Sequence, residues 1–142
     1  MSLFVVDASV AVKLYVPEVH TDIAVRFFAD GHQLMAPDLM PSEFTNILWK
    51  KVVQRGELTL PEARRIVTEF KSLPIDYYSA LDLLDDALEM AATHARTVYD
   101  CTYVALAAAM DAKKITDDRR LVNALAATPL SSSIVVLEDY RS

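Results

Sequence analysis

Short apolar, partly β-branched runs alternate with helix-patterned stretches along the whole chain, and that alternation limits the fold more than any motif does. Leu3–Val6 is a continuous apolar run that stops on Asp7, the pattern of a strand buried on both faces. Gln33–Ala36, Ile75–Tyr78, Lys114–Thr116 and Ser133–Leu137 read as further strands. Between them the spacing turns helical. Ser9–Tyr15 is a short helix halted by Pro17. Thr21–Asp30 places Ile23, Ala24, Phe27 and Phe28 on one side and meets Gly31 as its stop. Pro41–Arg55 carries the stripe Phe44, Ile47, Leu48 and Val52 and ends at Gly56. Thr59-Leu60-Pro61-Glu62 matches a capping box, opening a helix to about Lys71. Leu81–Thr93 reads as amphipathic with Leu84, Ala87, Leu88 and Ala91 inward, followed by helices over Asp100–Ala112 and Asp118–Ala127. Strands alternating with helices imply an α/β chain whose mostly parallel sheet is covered on both faces.

No repeat, low-complexity tract or linker divides the 142 residues, so residues 1–142 are expected to form a single domain. Apolar residues make up 53% of the chain, yet Thr102–Met110, the longest apolar stretch, is too short to span a bilayer. The start, MSLFVVDAS, has no secretory pattern, and a soluble cytoplasmic protein is expected. Cys101 is the only cysteine and is read as a small buried hydrophobe; it excludes an intrachain disulfide and a Cys-rich zinc site. Two glycines are too few for a P-loop or a dinucleotide fingerprint. His20, His32 and His94 have no metal-ligand spacing and read as solvated. The net charge of −6 offers nucleic acid no general attraction. Nucleic-acid binding would require Lys50, Lys51, Arg55, Arg96, Lys113, Lys114, Arg119 and Arg120 to gather locally, or acids to be neutralised by a metal or a basic partner.

Four acids stand where chemistry is expected. Asp7 follows the first strand, and parallel sheets take ligands just beyond the carboxyl ends of their strands. An N-cap role explains Asp7 equally well. Asp100 heads the helix in YDCTYVALA, again a capping position. Asp118 follows the strand ending at Thr116 and has Asp117 beside it; one of the pair suits a cap and leaves the other free. Glu43 lies in the first turn of the Pro41–Arg55 helix with Asn46 and Lys50 on nearly the same face, which a solvated face also explains. Together these acids supply the hard oxygen ligands a divalent cation requires, and crowding them without one would raise their pKa values.

Asp7-Ala8-Ser9-Val10, Ser42-Glu43-Phe44-Thr45-Asn46, Tyr99-Asp100-Cys101-Thr102-Tyr103-Val104-Ala105-Leu106-Ala107 and Thr116-Asp117-Asp118-Arg119-Arg120-Leu121 together resemble the PIN-domain nucleases. Their order and spacing over residues 3 to 137 are most similar to the VapC toxins of prokaryotic type II toxin–antitoxin systems. The resemblance implies a three-layer α/β/α sandwich and an endoribonuclease dependent on Mg²⁺ or Mn²⁺. It also implies a homodimer and an antitoxin whose tail enters the active site. The four family acids fall on Asp7, Glu43, Asp100 and Asp118, with Asp118 assigned over Asp117. By this carry-over Asp7, Asp100 and Glu43 hold the cation, directly or through water, and Asp118 completes or tunes the site; Ser9, Thr116 and Asn46 could orient water or phosphate, and a helix cap or local hydrogen bond explains each at least as well.

Rival readings fit less well. A dehalogenase-type phosphatase needs a second aspartate where Ser9 stands, and a receiver domain has no use for Glu43. A non-catalytic interaction module on the same fold is the alternative from a different class.

Overall fold

The computed structural model describes residues 2–142. Five strands, β1 (Leu3–Val6), β2 (Gln33–Pro37), β3 (Ile75–Tyr78), β4 (Lys113–Thr116) and β5 (Ile134–Val136), form one sheet in the order β3-β2-β1-β4-β5. Every neighbouring pair is parallel. The most continuously apolar run takes the central place, where Val5 and Val6 are fully buried; each such side chain removed from water contributes roughly 1.5–3 kcal/mol.

The helices are α1 (Ala8–Ala11), α2 (Thr21–Ala29), α3 (Met40–Trp49), α4 (Leu60–Phe70), α5 (Leu84–His94), α6 (Val98–Ala109) and α7 (Arg119–Leu125). Phe4 of β1 meets Phe27 of α2 edge-on, with ring centroids 5.0 Å apart. The pleat sends Val5 the opposite way. Helix α6 packs across β1, β2 and β4, and α5 packs against α6. Cys101–Ala107 are buried without interruption, as expected of a helix that is apolar all round. The result is a three-layer α/β/α sandwich.

The local signals act as their chemistry requires. Thr59 and Glu62 cap α4 reciprocally, at 2.9 and 3.3 Å. Gly31 and Gly56 follow their helices with φ of +75° and +63°, a region that costs a side chain but not glycine.

Four details differ from the sequence reading. Helix α6 begins at Val98, and the hydroxyl of Thr97 accepts the Asp100 amide at 3.1 Å, so Thr97 is the cap and the Asp100 carboxylate is free of that duty. On α5, Leu84 and Leu88 face outward, 47% and 61% exposed, while Ala87 and Ala91 are buried in a cluster with Cys101; the small side chains let α5 and α6 approach closely. Helix α3 runs into a single π-turn, Lys50–Gln54, with Arg55 N donating to Lys50 O at 3.1 Å. His32 is not simply solvated: its ring packs on Phe4 and Phe27, and its Nε2 lies 2.6 Å from the Tyr140 hydroxyl.

From β1 the chain moves outward through β2 to β3, then returns to the other side of β1 to form β4 and β5. The sheet order therefore reverses between β1 and β4. A crevice opens at such a reversal beyond the carboxyl ends of the strands, and Asp7 and Asp117 follow directly on those two ends.

Candidate active site

Asp7 is both a helix cap and a side chain held in place by its neighbours. Its Oδ1 accepts the Ser9 amide at 3.4 Å, and its Oδ2 accepts the Thr116 hydroxyl at 2.6 Å. Thr116, fully buried at the end of β4, also accepts the Asp118 amide at 3.1 Å. One hydroxyl thus ties the ends of β1 and β4 together.

Glu43 comes from the first turn of α3, near the helix's positive end. Its Oε1 accepts the Tyr103 hydroxyl of α6 at 2.6 Å. Burial raises the Glu43 pKa; the Tyr103 hydrogen bond and Lys114 oppose the rise, while the charges of Asp7 and Asp100 add to it. Burial likewise pushes the Tyr103 phenol upward, with Asp7 and Glu43 adding to the effect, so it stays protonated as the donor.

Asp7 and Glu43 line one cleft of about 390 Å³ together with Ser9, Ser42, Asn46 and Lys50. Asp100, in the first turn of α6, is near enough for Glu43 to feel its charge. Neither Asp100 nor Asp118 is among the residues lining that cleft; Asp118 is exposed and caps α7, with Oδ1 accepting the Leu121 amide at 3.1 Å. Asp117 is engaged by Lys13 at 3.1 Å and by His20 at 3.6 Å.

The cleft offers oxygen donors and no imidazole or thiol, a set suited to a hard cation rather than to zinc or copper. Among the described residues no three His, Cys, Asp or Glu side chains close into a metal cage. Asp7 and Glu43, with the hydroxyls of Ser9 and Ser42 and the Asn46 amide oxygen, are the donors the cleft would offer a hard cation.

The basic residues gather only in part. Lys50, Lys51 and Arg55 line an adjoining cleft with Ser9, Glu18 and Asp117. Lys51 is buried and paired with Glu18 at 2.5 Å and Glu57 at 3.2 Å, and Arg119 is paired with Glu138 and Asp139.

Residues 4–126 match the PIN domain family. The chain belongs to it. Within that family, ribonuclease VapC3 of Pyrobaculum aerophilum is 40% identical to this chain over 121 residues, 82% of this chain and 90% of that protein. The fold of this PIN domain is also similar to solved structures of low identity. PAE2754 from Pyrobaculum aerophilum gives a TM-score of 0.67 at 21% identity, over 96% of this chain and 90% of that one. A chain in a toxin–antitoxin complex from Klebsiella pneumoniae gives 0.64 at 13% identity, with each chain wholly covered.

Sequence reasoning missed three features of the PIN-domain site. In the sequence Tyr103 stands only as part of the YDCTYVALA motif, one turn beyond Asp100. Lys114 stands among the basic residues expected to gather on a surface and Lys13 carries no reading of its own, yet both are buried. Lys114 alternates with Ile115 on a central strand, the one signal that could have exposed it.

Proposed function

We propose that this PIN domain is an endoribonuclease of the VapC kind, the toxin of a type II toxin–antitoxin pair, that hydrolyses RNA phosphodiester bonds with Mg²⁺ or Mn²⁺. The observation that carries the reading is the cleft shared by Asp7 and Glu43 at the reversal of the sheet order. Kinship to VapC3, a ribonuclease by name, supports the RNA substrate.

Asp7, Glu43 and Asp100 would hold the cation directly or through water, with Asp118 completing or tuning the set. When bound, the metal supplies a water of lowered pKa and positive charge for the phosphorane oxygens. The protein's part is orientation. Thr116 and the Ser9 amide fix the Asp7 carboxylate, and Tyr103 holds Glu43. Asn46 and Lys50 line the cleft wall, where the Lys50 ammonium meets the polyanionic backbone that the rest of this acidic protein repels.

Two apolar surfaces support protein partners. Trp49, Val53 and Leu60 are exposed along the groove between α3 and α4, and Leu81, Leu84 and Leu88 are exposed at and near the start of α5. Grouped apolar side chains of this kind mark contact surfaces. They suit an antitoxin and a second copy of the chain, and the similarity to a toxin–antitoxin complex favours the former. No helix among the described residues is long and apolar enough to cross a membrane; we place the protein in the cytoplasm with its RNA.

Protein purified free of antitoxin should cleave a panel of RNAs with Mg²⁺ or Mn²⁺, stop on addition of EDTA and recover when metal is restored. Cleavage indifferent to EDTA rejects the metal, and an uncut panel rejects the nuclease.

A further inference from the structure

Lys114 is the most anomalous side chain in the molecule. It is fully buried on a central strand, and its Nζ has no hydrogen-bond partner among the described residues. The ammonium lies 3.8 Å from Asp7 Oδ2 and 4.6 Å from the centroid of the Tyr103 ring. A buried ammonium without hydrogen bonds costs several kcal/mol by desolvation unless nearby negative charge compensates it. Here the compensation comes from the acid cluster and from the face of an aromatic ring.

The other buried lysines behave differently. Lys13 donates to the Val19 carbonyl at 2.8 Å and Lys51 to Glu18 at 2.5 Å, so each is satisfied by direct bonds. Lys114 instead faces the two residues on which the site is built: Asp7 itself, and Tyr103, the donor to Glu43. Register places it there. Lys114 pairs with Val5, so its side chain rises on the same face of the sheet as Val5 and, by alternation, Asp7.

We infer that Lys114 is a built-in counter-ion for the acid cluster, a positioning residue that neutralises one carboxylate from beneath and leaves the cleft a demand for one divalent cation rather than two. The inference rests on the proposed metal-dependent reading of the cleft. Asp7, Glu43, Asp100 and Asp118 supply four negative charges when ionised; the ammonium of Lys114 beneath, that of Lys50 on the cleft wall and one divalent ion balance them. A site of the same acids without the ammonium would hold an excess negative charge that a second ion could satisfy. The lysine differs from a metal in being permanent: its charge lies 3.8 Å from Asp7 whether or not an ion is bound.

Manganese binding, read by electron paramagnetic resonance and calorimetry on the intact protein, tests this without any RNA. Wild type should bind one Mn²⁺ per chain. Lys114→Met keeps the length and apolar stem of the side chain but removes the charge, and it should bind the first Mn²⁺ about tenfold or more tightly, because a unit charge close to a divalent ion is worth that even with water-like screening. Two ions on wild type, or equal or weaker binding by Lys114→Met, overturns the counter-ion. No Mn²⁺ on wild type at all overturns the metal reading of the cleft and the inference with it.

Thermal melting of the metal-free protein gives a second reading that survives a poorly folding variant. If the two charges compensate each other, Asp7→Asn should lower the melting temperature in wild type and lower it less, or raise it, in the Lys114→Met background. Additive effects of the two substitutions would show that Lys114 and Asp7 do not interact and would overturn the proposal.

Discussion

Glu18 sits between two buried ammonium groups, and replacing it with glutamine is the most informative stability perturbation the fold offers. Its Oε1 meets Lys13 Nζ at 3.3 Å and its Oε2 meets Lys51 Nζ at 2.5 Å, with both lysines about 96–97% buried. Breaking a buried ion pair from one side costs roughly 3–5 kcal/mol. The cost is reduced here because Lys13 keeps the Val19 carbonyl and Asp117, Lys51 keeps Glu57, and the amide still accepts one hydrogen bond. Roughly 2–3 kcal/mol remains, which for a chain of this size lowers the melting temperature by about 6–9 °C. The pH dependence adds a second signature. Burial alone raises the Glu18 pKa, but the hydrogen bond and charge of Lys51, joined by those of Lys13, outweigh it and hold the carboxyl below its ordinary value of 4.5. A carboxyl whose pKa is depressed by folding contributes stability that is present above its unfolded value and lost as pH falls through the folded one. Wild type should therefore lose stability below about pH 4.5 more steeply than Glu18→Gln. Melting followed by circular dichroism from pH 3 to 7 measures both effects. A loss under about 2 °C at neutral pH, with unchanged acid sensitivity, would refute the reasoning.

Tyr103→Phe removes the hydrogen bond that opposes the rise in the Glu43 pKa, so the Glu43 carboxyl carbon should titrate at higher pH in metal-free protein by ¹³C NMR; an unchanged titration contradicts the contact. Thr116→Val leaves Asp7 Oδ2 and the Asp118 amide without their shared partner. It should cost about 1–3 kcal/mol in guanidinium unfolding and reduce cleavage at least about tenfold, since a carboxylate misplaced by an ångström loses more than that. Asp118→Asn should keep the cap on α7 and melt like wild type, whereas Asp118→Ala should lose about 1 kcal/mol; if the asparagine variant also cleaves RNA normally, Asp118 is a cap alone.

Much of the fold was legible because its strands are short apolar runs and its helices carry their own punctuation. Leu3–Val6, the Thr59–Glu62 capping box and the two glycine stops need no tertiary information. The errors fall where packing overrides periodicity. Leu84 and Leu88 outrank Ala87 and Ala91 in hydrophobicity, but the contact between α5 and α6 selects small residues. Lys51 lies three and four residues beyond Leu48 and Ile47, on the apolar stripe of α3, a position that could have shown it to be buried; it is tolerated there because Glu18 and Glu57 come from other segments. The acids of the site were visible one by one as strand-end and helix-start residues. The groups that hold them, Tyr103 on Glu43 and Lys114 against Asp7, depend on strand register and interhelix packing that no local pattern encodes.

The central claim is that Asp7 and Glu43 face one bound divalent cation. Anomalous diffraction from crystals grown with Mn²⁺ tests it most directly. The account predicts a single anomalous peak in the cleft between the end of β1 and the first turn of α3, at about 2.0–2.3 Å from a carboxylate oxygen or from a water held by one. No peak there, at Mn²⁺ concentrations that support RNA cleavage, would contradict it.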